Sequence, residues 1–272
     1  MVRAATKTLI FATFLLLFAA ARGVAVAQPT VGAEAPMGPA ISVIIDDLGN
    51  SLGEGERAVE LPGPVTCAFL PYTPYSARLA QRAHEGGKQV MLHLPMESLD
   101  DRMLGPGGLT LDMRKAEFLR TLRSDLEAIP YVSGVNNHMG SMLTADPARM
   151  RWLMQDLLYR GNLFFVDSRT NKNTVAQFEA MDNGIANTRR DVFLDNVQQP
   201  EAVRRQFELL LAMARRNGTA IGIGHPHPVT LQVLEQMLPT LAAAGVRLVP
   251  VSQLIALQHE HRTRVWQAAL TR

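Results

Sequence analysis

The chain alternates short apolar runs with longer segments in which apolar residues recur at helical spacing. The runs are rich in β-branched residues, as in Ile41-Ser42-Val43-Ile44-Ile45, and they stay apolar at successive positions. This pattern is typical of strands that are buried on both faces of a parallel sheet. We therefore predict strands at 41–46, 65–70, 89–94, 132–137, 163–167, 220–224 and 247–251.

The segments between these runs predict helices. Asp146 before Pro147 offers an N-cap and a first-turn proline, while Gly161 and Gly218 stand where C-terminal caps belong. The predicted helices are 51–60, 74–86, 112–128, 147–160, 199–217 and 230–244, with a terminal helix at 253–269. Seven strands with intervening helices predict an α/β fold, either a short (β/α) barrel or, as the alternative, an open doubly wound sheet.

Length and composition favour one folded domain, which we place at 41–272. The formal net charge of the 272-residue chain is only +2, and its basic residues are scattered, so nucleic acid is not indicated as a partner. The single cysteine, Cys67, lies in an apolar run and is interpreted as a small buried hydrophobe rather than a nucleophile.

The first residues have the three-part pattern of a secretory signal. Two basic residues precede an apolar stretch at 9–21, and Ala25-Val26-Ala27 fits a small-x-small cleavage site. We predict a signal peptide at 1–27 and a flexible linker at 28–40, which places the domain in a bacterial periplasm with no stable membrane span after cleavage. An uncleaved membrane anchor is the alternative, because the apolar stretch approaches the ~20 residues of a spanning helix.

Acidic residues and histidines stand at or just past the carboxyl ends of five predicted strands. Because the carboxyl ends of parallel strands converge on one face of a barrel, we expect these side chains to surround one opening. Two or three carboxylates with three histidines suit a divalent metal and proton transfer. The residues are Asp46, Asp47, His93, His138, Asp167 and His225.

Several of these residues have simpler interpretations. The Asp46-Asp47 pair could cap the following helix, and His93, flanked by apolar residues, could be a core histidine. Glu97 stands close enough in sequence to join the site. His225 and His227 share one rigid turn, and only one of them needs to face inward; we favour His225.

Five segments of the chain form a specific ordered set of motifs. They resemble those of the divergent polysaccharide deacetylases, the YibQ-like branch of the NodB-homology superfamily, over about Ile41 to Leu254. The resemblance implies a distorted (β/α)7 barrel and metal-dependent removal of acetyl groups from N-acetylated sugars. The segments are Ile44-Ile45-Asp46-Asp47-Leu48-Gly49, His93-Leu94-Pro95-Met96-Glu97, Asn136-Asn137-His138-Met139-Gly140-Ser141, Phe165-Val166-Asp167-Ser168 and Gly222-Ile223-Gly224-His225-Pro226-His227.

The resemblance also implies roles for single residues. Asp46 matches the general base of the superfamily, and Asp47 matches its metal-binding aspartate. His225 matches the general acid of the last motif, and Asp167 occupies the place of the acid that supports catalysis from a later strand.

The metal-binding histidines are where this chain departs from the pattern of the superfamily that it resembles. Typical deacetylases carry both on one His-x-x-x-His segment, which is missing here, so His93 and His138 from different segments are the candidates. With Asp47 they would hold a divalent ion, which we predict to be zinc. Asn136 and Asn137 offer amide groups for substrate hydroxyls or for steering His138.

The sequence thus predicts a metal-dependent carbohydrate N-deacetylase that acts on an N-acetylated carbohydrate or peptidoglycan-derived substrate. A catalytically silent periplasmic protein that binds glycan or protein through the same opening is the alternative. A metal-dependent hydrolase with a substrate other than a sugar also fits the same fold and metal.

Overall fold

The computed structural model describes residues 38–100 and 103–270. The predicted signal peptide at 1–27 and most of the predicted linker lie outside this range. The elements are β1 (Ala40–Leu48), α1 (Leu52–Glu60), β2 (Thr66–Phe69), α2 (Ser76–Glu85), β3 (Gln89–Met96), α3 (Lys115–Ala128), β4 (Val132–Met139), α4 (Pro147–Arg160), β5 (Phe164–Asp167), α5 (Ala176–Asp182), β6 (Asn187–Arg189), β7 (Val192–Phe193), α6 (Pro200–Asn217), β8 (Thr219–Gly224), α7 (Pro228–Met237), β9 (Arg247–Leu248) and α8 (Val251–Leu270).

The strands form one parallel sheet that curls into a barrel. Its order is β6-β5-β4-β3-β2-β1-β8-β7, with the short β9 paired to the start of β1. β1 lies between β2 and β8, so Ile44 pairs with Thr66 on one side and with Ile223 on the other. All these pairings are parallel, so the carboxyl ends of the strands meet on one face.

One extended segment bridges the two edges of the sheet. β6 pairs with β5, and β7, which is separated from β6 by only two residues, pairs with β8. Between them the backbone N–H of Arg190 donates to Asp167 of β5 (2.9 Å), and that of Asp191 donates to Ile221 of β8 (3.0 Å). Residues 187–193 therefore pair with both edges of the sheet and act as a single seventh strand of the barrel.

The inside of the barrel is a hydrophobic core that α8 covers at the amino-terminal end of the strands. Side chains from the strands pack there against Val251, Leu254 and Ile255. α8 is also hydrogen-bonded to the start of β8, where the Gln258 amide donates to Thr219 (3.2 Å). The candidate site lies at the opposite end of the barrel, at the carboxyl ends of the strands.

Among the described residues, no helix combines the length and the apolar character that crossing a membrane requires.

The predicted barrel fold is confirmed, and the differences lie in short elements. β6, β7 and α5 were not predicted, because segments of two to seven residues carry too little periodicity to be recognised. The helix predicted at 230–244 instead begins at Pro228 and ends at Met237, where a 3-10 turn follows. The predicted cap at Asp146 is confirmed, since its carboxylate accepts the N–H of Arg149 (2.8 Å).

Candidate functional site

The two neighbouring aspartates lie at an irregular carboxyl end of β1. Side chains in a regular strand alternate between faces, which would point adjacent carboxylates in opposite directions. Here the pairing with β2 shifts register between Ile45 and Leu48, and Asp47 has a left-handed backbone with φ of 56°. The irregularity lets Asp46 and Asp47 reach the same group of histidines, and left-handed backbone at a residue other than glycine is often found at functional sites.

Three ligand-type atoms from β1, β3 and β4 meet at this end of the barrel. Oδ1 of Asp47 lies 3.1 Å from Nε2 of His93 and 2.8 Å from Nδ1 of His138. The two ring nitrogens are themselves 3.2 Å apart. The structure thus brings together the three residues that were predicted as metal ligands, although their roles stay a prediction.

The donor set fits a divalent metal. Ligand atoms around a tetrahedral zinc at about 2.0–2.1 Å are separated from one another by about 3.3 Å. The three separations of 2.8–3.2 Å between the atoms of Asp47, His93 and His138 approach that value. Oδ1 of Asp47 is also a buried oxygen without a well-directed hydrogen bond among the described residues. One carboxylate and two imidazoles would leave the remaining coordination positions for water and substrate.

Asp47 is held ionised in this arrangement. Burial by itself would raise the pKa of its carboxyl, but contacts with His138 and His93 hold that pKa well below its ordinary value. A permanently charged carboxylate is the form that a cation needs as a ligand.

Asn136 connects the histidine cluster to Asp46. Its Nδ2 donates to Oδ1 of Asp46 (2.7 Å), because a carboxylate can only accept, and this leaves its Oδ1 to accept from Nδ1 of His93 (2.9 Å). With a metal bound, His93 would carry its proton on Nδ1 and would leave the lone pair of Nε2 for the ion. A partner behind a ligating histidine fixes its tautomer and its orientation.

Replacing Asn136 by alanine is expected to lower the affinity for a divalent metal by roughly 10- to 100-fold, because His93 loses the partner that fixes its tautomer. The measurement is a titration of metal-free protein with zinc against a competing chelator. Asn173→Ala, at an exposed position, is the matched control. Unchanged affinity in Asn136→Ala would show that the orientation of His93 does not depend on this amide.

Asp46 is buried below the three ligand-type atoms. Its Oδ1 lies 3.7 Å from Nδ1 of His93, beyond hydrogen-bonding distance, so Asn136 is its close partner. Burial raises the pKa of the Asp46 carboxyl above its ordinary value, and the charges of His93 and His225 with the Asn136 hydrogen bond offset this only in part. A carboxylate with a raised pKa is a better proton acceptor than an exposed one.

His225 approaches the site from the end of β8 and is charged at neutral pH. Its Nε2 lies 3.9 Å from Oδ2 of Asp47, and its Nδ1 donates to Oδ1 of Asp195 (3.0 Å). Burial would lower the pKa of His225, but the hydrogen bond and charge of Asp195, together with Asp46 and Asp47, raise it to about 9. The imidazolium can therefore donate a proton.

Asp195 is the site residue that the sequence reasoning missed. It follows the apolar run Val192-Phe193-Leu194, so the strand-end rule would have found it if β7 had been recognised. Besides His225, its carboxylate accepts from the Thr230 hydroxyl (2.9 Å).

Asp167, predicted as the supporting acid, has other partners. Its Oδ1 accepts the N–H of Arg169 (2.8 Å), and its Oδ2 accepts the Thr174 hydroxyl (3.0 Å). Burial raises the pKa of Asp167 despite these bonds. The carboxylate thus orders the loop after β5, while Asp195 holds the position next to His225.

The two asparagines predicted to bind substrate are buried and engaged within the protein. Asn136 joins Asp46 to His93, as described above. Asn137 accepts the N–H of Ser168 (2.8 Å) and donates to the carbonyl of Met139 (2.7 Å), and so fixes the ends of β4 and β5. These contacts give the amides positioning roles, and contact with a substrate stays a prediction.

The alternative ligands lie elsewhere or are already paired. The Glu97 carboxylate accepts the N–H of Leu111 (2.6 Å). Nε2 of His227 lies 2.9 Å from the Gln198 amide nitrogen. Asp195, His225 and His227 form a second group of metal-ligand type, but both oxygens of Asp195 already accept hydrogen bonds. Among the described residues, the Asp47 cluster is therefore the better metal site.

Sequence comparison gives this chain a family match over most of its length. A family model described as divergent polysaccharide deacetylase matches residues 43–255. The protein of Escherichia coli strain K12 described as uncharacterized protein YibQ is 39% identical over 215 residues, which cover 79% of this chain and 67% of that protein.

Two solved structures extend the comparison to the fold. An uncharacterized protein from Agrobacterium tumefaciens C58 superposes with a TM-score of 0.77 at 24% identity, covering 83% of this chain and 92% of that one. The peptidoglycan deacetylase PdaC from Bacillus subtilis gives a TM-score of 0.51 at 14% identity, covering 86% and 98% of the two chains. At these identities the likeness concerns the fold alone.

Proposed function

Since the chain belongs to the divergent polysaccharide deacetylase family, we propose that it is a metal-dependent hydrolase that removes acetyl groups from N-acetylated sugars of the cell envelope. The observation that carries the proposal is the meeting of Asp47, His93 and His138 within 3.2 Å of one another, with a buried base and a charged acid beside them. The periplasm is the proposed compartment, on the strength of the signal pattern at the start of the sequence.

An amide carbonyl is a poor electrophile. Its hydrolysis therefore needs a Lewis acid for the carbonyl, a base for the attacking water and an acid for the leaving amine. A bound divalent ion supplies a Lewis acid for the carbonyl and lowers the pKa of water. Asp47, His93 and His138 are the residues that would hold it. The protein's own groups move the protons.

Asp46 is proposed as the general base. It is buried, its pKa is raised, and its closest ion pair with a described residue is the 3.7 Å approach to His93. Asn136 keeps one carboxylate oxygen in place, so the other is left to accept a proton from the attacking water.

His225 is proposed as the general acid. At neutral pH its imidazolium carries a proton on Nε2, which faces Asp47, while Nδ1 is tied to Asp195. The proton on Nε2 would pass to the leaving amine, and the positive charge beforehand would stabilise the negative oxygen of the tetrahedral species.

The test is the release of acetate from N-acetylated oligosaccharides by purified protein loaded with zinc. We expect acetate and a free amine in equal amounts, with loss of activity in a chelator and recovery on adding the metal back. A protein that holds the metal and releases no acetate from any glycan would favour the silent binding protein instead.

Replacing Asp195 by asparagine is expected to move the alkaline limit of activity downward. In the wild type His225 stays protonated up to a pKa of about 9. Without the negative charge this pKa should fall towards its ordinary value of 6.5, so activity at pH 8 should drop by roughly 10-fold or more. The measurement is kcat/KM against pH for both proteins, with Asp182→Asn on an exposed surface as control.

The same shift predicts how stability depends on pH. The folded pKa of His225 is raised, so its contribution to stability is complete below about 6.5 and is lost as the pH rises to about 9. Thermal melts of the wild type should lose stability across this window, and melts of Asp195→Asn should lose less. Identical pH profiles for the two proteins would show that Asp195 does not set the charge of His225.

A further inference from the structure

Two arginines lie near the mouth of the barrel, Arg190 within the closing segment 187–193 and Arg169 in the loop after β5. Arg190 is half-buried, and its guanidinium donates to the backbone carbonyls of Ser168 (2.6 Å) and Arg169 (3.0 Å). Its Cζ lies 4.9 Å from the centre of the Phe193 ring, and that ring is 5.3 Å from the imidazole of His225. Arg190 is therefore one aromatic ring away from the proposed general acid.

Arg169 presents a second cation beside the first. Its backbone is left-handed, with φ of 52°, which costs an arginine of the order of 1 kcal/mol or more. The N–H of Arg169 is bound by Asp167, and its carbonyl by Arg190, so the backbone is locked on both sides. Its half-buried guanidinium makes no hydrogen bond or ion pair with any described residue. Backbone held in a sparsely populated conformation is often found at active sites and ligand clamps.

Neither arginine forms an ion pair with an acid among the described residues, although Asp167 and Asp191 are close enough for the charge of Arg169 to lower their pKa. Asp167 uses both oxygens on the loop, and Asp191 accepts the N–H of Ile221 (2.9 Å). Burial lowers the pKa of Arg190, the charges of Asp46 and Asp167 counteract this, and the like charge of Arg169 lowers it further. The two arginines are thus joined through the Arg169 carbonyl and have no direct ion pair with a described acid. Lys172 and Arg189, their close neighbours in sequence, are both exposed.

We propose that Arg169 and Arg190 form a subsite for an anionic group of the substrate, a carboxylate or a phosphate. Guanidinium groups present planar forks of donors that match these anions and stay charged at every working pH. The proposal rests on the proposed function and narrows it, because the substrate would then be an N-acetylated glycan with an acidic substituent near the acetylated amine. Neutral N-acetylated oligomers would leave both arginines without an anionic partner.

The test measures binding in the Asp46→Asn background, so that turnover does not consume the ligand. The probes are an N-acetylated oligosaccharide with a lactyl carboxylate, the same compound with that carboxylate reduced to an alcohol, and a phosphorylated counterpart. By isothermal titration we expect at least one acidic probe to bind about 10-fold more tightly than the neutral one.

Arg169→Gln should remove that preference and leave the affinity for the neutral probe unchanged, while Arg169→Lys should keep part of it. Arg215→Gln, on the exposed end of α6, is the matched control for loss of one positive charge. Metal content and melting temperature of each variant would show that the fold and the Asp47 cluster persist.

The outcomes separate the subsite from the reaction. A preference for the carboxylate or for the phosphate that depends on Arg169 supports the subsite and says which anion it takes. Equal binding of acidic and neutral probes, a preference that survives in Arg169→Gln, or no binding of any probe would overturn it. Preference for the acid without acetate release by the active protein would leave the subsite standing and refute the deacetylase.

Discussion

Replacing Asp47 by asparagine is expected to abolish stable metal binding, with the affinity for zinc reduced by at least about 100-fold. The asparagine keeps the size of the side chain but removes the negative charge that lies 2.8 Å from His138 and 3.1 Å from His93. Two neutral imidazoles and an amide oxygen are a much weaker ligand set for a divalent cation. The measurement is the metal content after dialysis, followed by titration against a chelator of known affinity.

His138→Ala should show the same loss, since it removes a different member of the same three-residue cluster. His227→Ala is the matched control, because its ring contacts Gln198 instead. Full metal occupancy in both Asp47→Asn and His138→Ala would eliminate the proposed site. Loss of metal in His227→Ala alone would move it to the neighbouring group around Asp195.

Acid should also displace the metal from the wild type. Burial by itself lowers the pKa of His93, but the charges of Asp46 and Asp47 raise it above its ordinary value of 6.5. A proton therefore competes for the lone pair that the metal needs, and occupancy should fall as the pH is lowered.

Replacing Asp46 by asparagine is expected to reduce kcat by roughly 10²- to 10⁴-fold while the metal stays bound. The substitution preserves shape, and the new side chain can still accept the hydrogen bond from Asn136. It removes the group that would take the proton of the attacking water. The measurement is the rate of acetate release at saturating substrate, with the metal content of the same samples.

The pH profile gives an independent check on this role. Because burial raises the pKa of Asp46, activity in the wild type should fall on acidification at a higher pH than an exposed carboxylate would give. Asp46→Asn with full metal and nearly normal kcat would assign the base to another group. Loss of metal together with loss of rate would instead make Asp46 part of the metal support.

The strand ends could be predicted from the sequence because a parallel barrel collects them on one face. The rule placed His93 near the end of the strand predicted at 89–94 and His138 just past the strand predicted at 132–137. β3 and β4 each continue two residues further, to Met96 and Met139, and the structure brings both histidines to Asp47. The rule could not predict that Asp47 would lie against both histidines while Asp46 accepts a hydrogen bond from Asn136. That depends on the left-handed backbone of Asp47 and on a shift in register, which local composition does not encode.

The acid beside His225 shows a second limit. Asp167 and Asp195 both follow apolar runs, and nothing in the two runs says which aspartate faces the histidine. The choice is made by the pairing of β7 with β8, which places Asp195 next to the end of β8. β7 has two residues, so the pairing that decides the position has almost no signal of its own.

The cluster of Asp47, His93 and His138 comes from three different strands, and this determines when a metal can bind during folding. His93 and His138 are 45 residues apart and meet only once β3 and β4 have paired. Bringing them together in a disordered chain would require closing a long loop for a single contact. The two histidines of a His-x-x-x-His segment, by contrast, are close together in the sequence and can meet before the chain folds. If metal is held here, a newly made chain has little affinity for it, and loading is a late step of maturation that only correctly assembled barrels can complete.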